Sequence, residues 1–201
     1  MNRVEAMDVV AAARSDAVVI TGPGANSGLL YERADTPATI YNMDMGYAAA
    51  MGLGIALACP RRQVLTIEGE GSFYAGATVL STIWRLKPPN LAVLVLDNGV
   101  WGTADGQEPT ATAFGLDLAR LAQATGWREQ HVHSADGANE LAHLLAMALR
   151  ESGPHFIVAK TEASKDPPSP TRPRPKRHLL DCAVLMRAEL SGDAQSGYAE
   201  R

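Results

Sequence analysis

A short buried strand and a continuous apolar run bracket an amphipathic stretch, and the rest of the chain repeats that arrangement. Gln63-Val64-Leu65-Thr66-Ile67 and Leu91-Ala92-Val93-Leu94-Val95-Leu96 read as strands covered on both faces. Between them, Phe73 to Leu86 sets Val79, Leu80, Ile83 and Leu86 on one helical face. The three form a β-α-β unit whose strands end on the same edge of a parallel sheet. The same patterning predicts helices over Val4 to Arg14, Gly46 to Ala58, Leu116 to Thr125, Ala138 to Arg150 and Leu179 to Leu190. It predicts further strands over Ala17 to Ile20, Thr39 to Met43, Glu129 to His133 and Phe156 to Lys160. Alternating strands and helices imply an α/β fold, a doubly wound, mostly parallel sheet with helices on both faces.

The chemistry sits where the central strands end. After the first comes Gly69-Glu70-Gly71-Ser72, a sharp turn opening a helix that Ser72 is placed to cap through its hydroxyl. Such glycines let backbone approach a ligand, and free N–H groups at a helix start favour an anion such as phosphate. After the second comes Asp97-Asn98-Gly99-Val100-Trp101-Gly102. Parallel strands bring Glu70 and Asn98 together. A carboxylate, an amide oxygen and a nearby carbonyl are hard ligands that suit Mg²⁺ shared with phosphate oxygens.

Gly69-Glu70-Gly71-Ser72 followed by Asp97-Asn98 resembles the motif of the thiamine-diphosphate-binding family, usually Gly-Asp-Gly and then Asn-Asn. Glu70 stands where the family has Asp, and Asp97 where it has the first Asn. The resemblance implies metal ligands at Glu70, Asn98 and the Val100 carbonyl, and cofactor contacts from Met45, Gly69, Gly71, Ser72, Trp101 and Gly102. Asp44-Met45-Gly46-Tyr47-Ala48 is similar to the segment that puts a bulky apolar side chain under the cofactor. Asn98 to Gly102, Gly106-Gln107, Asp117-Leu118-Ala119 and Gly126 resemble the β subunits of sulfopyruvate and phosphonopyruvate decarboxylases. The family likeness runs from about Val18 to Thr161. It implies thiamine diphosphate and Mg²⁺ as cofactors and decarboxylation of a small 2-oxo acid. The activating glutamate comes in that family from a pyrimidine-binding domain. This chain shows none, so no catalytic residue is assigned to it and an α-type partner subunit is expected, with a homodimer open to the isolated chain. Glu32 and Asp35 are the fallback carboxylates.

Composition narrows the alternatives. A formal charge of −4 with interspersed charges suggests no nucleic-acid surface. No apolar run reaches the length of a membrane span, the N-terminus does not read as a signal peptide, and Cys59 and Cys182 read as free thiols of a cytosolic protein. Thr21 to Gly28, with Asp44 beyond it, could be a dinucleotide fingerprint and so an oxidoreductase. Its spacing and Pro23 favour a plain strand-to-helix turn at the sheet edge. A non-catalytic relative that binds a partner is the other class left open. His131 and His133 share a strand face but lack a third ligand, and read as rim histidines. The polar stretch Thr103 to Phe114, with Asp105, Gln107 and Thr110, is long enough to be a substrate lid or a surface excursion. Residues 1–163 are expected to form the diphosphate domain, and 164–178 a solvated connector rich in Pro and Arg. Residues 179–190 are expected to be a helix packing on the domain, and 191–201 a disordered tail.

Overall fold

In the computed structural model, which describes residues 1–102, 108–163 and 172–194, six parallel strands form one sheet. They are β1 (Val18–Thr21), β2 (Thr39–Ile40), β3 (Val64–Gly69), β4 (Leu91–Asp97), β7 (Val132–Ala135) and β8 (His155–Lys160), in the order β2-β1-β3-β4-β8-β7. A separate antiparallel ribbon joins β5 (Val100–Trp101) to β6 (Glu108–Pro109). β4 is buried at every position, as its apolar run predicts. Helices α1 (Arg3–Ala13), α2 (Ala25–Ala34), α3 (Ala48–Ala58), α4 (Glu70–Ala75), α5 (Val79–Leu86), α6 (Leu118–Ala124) and α7 (Ala138–Ala148) supply the crossovers and cover the sheet. Asn2 starts α1 with a reciprocal cap: its side chain accepts from Glu5 N and its own N–H donates to the Glu5 carboxylate. Register sets the site. Gly69 pairs with Leu96 and Thr21 with Ile67, so the turns after β1, β3 and β4 leave one edge together. Chain order reverses between β1 and β3, and open α/β sheets bind ligands at the crevice outside such a reversal.

Several predicted elements take a different form. The helix expected over Phe73 to Leu86 is two, α4 and α5, broken at Gly76. There the backbones of Gly76 and Gly46 touch so closely that a Cβ on Gly76 would stand 2.1 Å from the Gly46 carbonyl oxygen. The strand over Thr39 to Met43 stops at Ile40 because Asn42 turns out at φ 53°. Glu129–His131 is a 3₁₀ turn, and β7 begins only at Val132. A last helix, α8 (Leu179–Ala194), buries Cys182, Met186 and Leu190 beside the edge strand β2, which it helps to cover. It takes in Ser191 to Ala194, which patterning had left as tail, while 195–201 lie outside the described residues.

The Pro- and Arg-rich connector is not simply solvated. Pro167, Pro168 and Pro170 lie outside the described residues, but Pro173 rests on α2 at Gly28, where a Cβ would meet its carbonyl oxygen at 2.0 Å. Arg177 then pairs with Asp35 and lies over the Tyr31 ring at 5.7 Å. No described helix is long and apolar enough to cross a membrane.

Candidate functional site

A cavity of about 250 Å³ opens over the C-terminal ends of β1, β3, β4 and β8. All nine residues expected from the motif line it: Met45, Gly69, Glu70, Gly71, Ser72, Asn98, Val100, Trp101 and Gly102. The two glycines of the turn do different work. A Cβ on Gly71 would stand 2.6 Å from the Trp101 indole, so that glycine lets the aromatic ring lie on the turn. A Cβ on Gly69 would meet nothing within 4 Å, which leaves open space beside the backbone.

Glu70 is the first residue of α4 and only 3% exposed. Its Oε1 accepts from the Thr110 hydroxyl at 2.8 Å and its Oε2 from Asn98 N at 3.3 Å. No cation is among these partners. Burial pushes the carboxyl above its ordinary range. The Thr110 hydrogen bond opposes that, and the charge of Asp97 adds to it. The Asn98 side-chain oxygen accepts from Val100 N at 3.1 Å, and Gly99, at φ 72°, makes the turn that brings those two residues round. Asp97 does not line the cavity. Its carboxylate takes Lys160, the Thr112 hydroxyl at 2.7 Å and Gly99 N at 3.1 Å.

Ser72 does not cap the helix. The helix begins at Glu70 with Gly69 as its cap residue, which puts Ser72 inside the first turn, where its hydroxyl donates to Glu68 at 2.7 Å. The turn after β1 is also corrected. It is a strand-to-helix turn at the edge where the strands end, as expected, but Pro23, Gly24, Ala25 and Asn26 line the same cavity as Glu70, with Asp44. There is one crevice here, which the sequence had divided into two candidate sites.

Several contributors were visible in the sequence without the contacts they make, Thr110 only as part of a candidate lid and Asn26 only within the Thr21 to Gly28 turn. Thr110 falls in a stretch without periodicity, where nothing aims a hydroxyl at a residue far up the chain; Asp105 and Gln107 lie outside the described residues. Arg3, from the start of α1, is the cation among the described lining residues. Asn26 contributes a buried Oδ1 with no hydrogen-bond partner among the described residues. His131 and His133 gather instead around His155, with His133 Nε2 3.3 Å from His155 Nδ1 and the His131 and His155 rings 5.5 Å apart. Among the described residues no group of His, Cys, Asp and Glu is placed to hold a metal by itself. A metal at Glu70 would need the amide and carbonyl oxygens of Asn98 and Val100 as well.

Comparison with known proteins agrees with this geometry. Residues 26–159 match the family model described as thiamine pyrophosphate enzyme, C-terminal TPP binding domain. Phosphonopyruvate decarboxylase of Streptomyces viridochromogenes is 38% identical over 143 residues, 71% of this chain and 35% of the relative. Sulfopyruvate decarboxylase subunit beta of Methanothermobacter thermautotrophicus is 32% identical over 157 residues, 78% of this chain and 80% of that subunit. The chain thus spans about a third of the phosphonopyruvate decarboxylase and most of the beta subunit. Among solved structures, the thiamine diphosphate-dependent 4-hydroxybenzoylformate decarboxylase of Rhodococcus jostii RHA1 superposes with a TM-score of 0.67 at 21% identity, over 83% of this chain and 33% of that one.

Proposed function

The chain belongs to the thiamine pyrophosphate enzymes, as their C-terminal TPP binding domain, and from that premise we propose that it is the diphosphate-binding part of a Mg²⁺-dependent 2-oxo acid decarboxylase. The observation that carries the reading is the convergence of Glu70 and Asn98, whose N lies 3.3 Å from Glu70 Oε2, with the Gly69–Ser72 turn and Met45 in one cavity. The residues present fit the cofactor. Glu70, Asn98 and the Val100 carbonyl are the hard oxygen donors that Mg²⁺ takes, and a buried carboxylate with no cation among its described partners is stabilised by gaining one. The open face at Gly69 leaves room for a diphosphate against the backbone.

In this reading Glu70, Asn98 and Val100 hold the metal, while Gly69, Gly71 and Ser72 bound the diphosphate. Trp101 and Gly102 close the cavity beside it. Met45, 45% exposed, offers its apolar side chain to the cofactor's underside. When bound, thiamine diphosphate supplies the electron sink for loss of CO₂ from a 2-oxo acid. This chain orients the cofactor and shields its anchor from water. The activating carboxylate comes from a pyrimidine-domain subunit, and neither fallback suits that task. Asp35 is engaged by Arg177 and Tyr41, and Glu32 lies on α2 outside the cavity. A sulfo- or phosphono-substituted 2-oxo acid is the substrate class in keeping with the relatives' names.

Calorimetry with thiamine diphosphate and Mg²⁺ tests the anchor. Binding should be lost in Glu70→Ala and kept or improved in Glu70→Asp, and unchanged affinity in Glu70→Ala would end this reading. Decarboxylation of sulfopyruvate or phosphonopyruvate tests the partner. The chain alone should be silent and the reconstituted pair active. Substantial turnover by the chain alone would refute the need for a second subunit.

A further inference from the structure

One buried carboxylate is left without a part in the site as described. Glu68, two residues before Glu70 on β3, is 2% exposed and does not line the cavity. Its Oε1 accepts from the Ser72 hydroxyl at 2.7 Å and from Gly46 N at 3.1 Å, and its Oε2 accepts from Ala49 N at 3.4 Å. It fills a slot closed on a third side by Gly22 at the end of β1, where a Cβ would stand 2.9 Å from Glu68 Cγ. All three hydrogen-bond partners are donors, two of them to Oε1, so the arrangement suits a side chain with an acceptor oxygen rather than an apolar one.

The partners are also placed to matter. Ser72 belongs to the turn that carries Glu70. Gly46 follows Met45 in the chain, and Ala49 lies in the first turn of α3. One side chain therefore ties the segment bearing Met45 to the segment bearing Glu70. Met45 is nearly half exposed, so its position rests in part on its backbone. That backbone is pinned twice: by the Gly46–Gly76 contact, and by the Glu68 hydrogen bond to Gly46 N. We propose that Glu68 is a positioning residue, a clamp behind the cavity that fixes Met45 and Ser72 relative to Glu70 and so sets the shape that the cofactor must enter. The proposal rests on the assignment of this cavity to thiamine diphosphate. Supports of this kind behind ligand-bearing groups commonly weigh roughly 10–100-fold in affinity or activity.

Two measurements on the same variants test it. In Glu68→Ala, amide hydrogen exchange should accelerate at Gly46 and Ala49 while β4 amides keep their protection, and thiamine diphosphate affinity in Mg²⁺ should fall roughly 10-fold. Glu68→Gln keeps an oxygen for Gly46 and Ser72 and disturbs only the longest contact, so it should recover most of the affinity. Glu68→Asp keeps the charge but is one methylene too short to span the donors. It should lose affinity like the alanine variant, and it carries the test if Glu68→Ala does not fold. A purely structural role would accelerate exchange throughout the sheet and leave affinity per folded molecule unchanged, and either result overturns the clamp. So would equal losses in Glu68→Gln and Glu68→Ala. Failure of the wild-type chain to bind the cofactor would remove the assignment of the cavity and the clamp together, whereas wild-type binding with unaltered affinity in Glu68→Asp removes the clamp alone.

Discussion

Glu70 at the C-terminal edge of the sheet and Arg14, Asn90 and His155 at the N-terminal edge are each 3% exposed, yet they are treated differently. Arg14 gives both terminal nitrogens to its own fold, donating to the Ala34 and Ala17 carbonyls and to the Thr39 and Thr36 hydroxyls at 2.8–3.0 Å. The Asn90 amide nitrogen lies 2.7–3.2 Å from the carbonyls of Ala56, Cys59 and Arg62. These groups tie off backbone at strand and helix ends. Glu70 has one hydroxyl and one longer backbone contact and faces a cavity. Burial is therefore a poor guide to role. What sets Glu70 apart is its company: a carboxylate with no cation among its described partners, lining the cavity where the motif residues gather.

The contrast predicts opposite outcomes at the two edges. The largest effect should come at Glu70. Glu70→Ala should lower metal-dependent cofactor affinity by more than roughly 100-fold, beyond the range of supporting residues. Its thermal midpoint should stay within about 3 °C of wild type, since only the hydrogen bonds from Thr110 and Asn98 are lost. A large drop in that midpoint would put Glu70 in the same class as Arg14.

Arg14→Met should do the reverse. It strips donors from two carbonyls and two hydroxyls and should cost about 3 kcal/mol in denaturant unfolding, while cofactor affinity per folded molecule stays at the wild-type value. Reduced affinity there would mean that the two edges are coupled through the sheet.

The N-terminal edge should also respond to acid. Burial, with the neighbouring His133 and His131, holds His155 down at about 4, and burial with His131 also lowers His133. A histidine in the unfolded chain titrates near 6.5. Between about 4 and 6.5 the unfolded state therefore binds more protons, and stability falls as the pH is lowered through that window. The loss attributable to His155 should be on the order of 2–3 kcal/mol by pH 4, read as the difference between wild-type and His155→Gln unfolding curves. Parallel curves would show that the three rings do not resist protonation.

The smallest effect should be at Thr110. Thr110→Val removes the hydroxyl from Glu70 Oε1 and should change cofactor affinity by about 3–10-fold with little change in stability. A null result would mean that a bound metal displaces Thr110 from Glu70.

What the sequence determined by itself is what local periodicity and short spacing can encode. The largely apolar β3 and the apolar run of β4 announced a sheet covered on both faces, because strands buried on both sides are mostly apolar. Parallel strands end on one edge, so the Gly69–Ser72 turn and Asn98 had to approach each other whatever the rest of the chain did. Tertiary structure alone decided the contacts that no period records. Gly46 meets Gly76 backbone to backbone and so breaks a helix whose apolar spacing runs straight through the break. Ser72, placed by its motif to cap a helix, donates to Glu68 instead, because the helix begins two residues earlier and puts it inside the first turn. Thr110 reaches Glu70, and the turn after β1 joins the cavity, through sheet order and loop path, which depend on how distant segments pack. Local sequence specifies which groups can carry charge or bend the chain. Only packing of the whole decides which of them the chain satisfies and which it leaves facing open space.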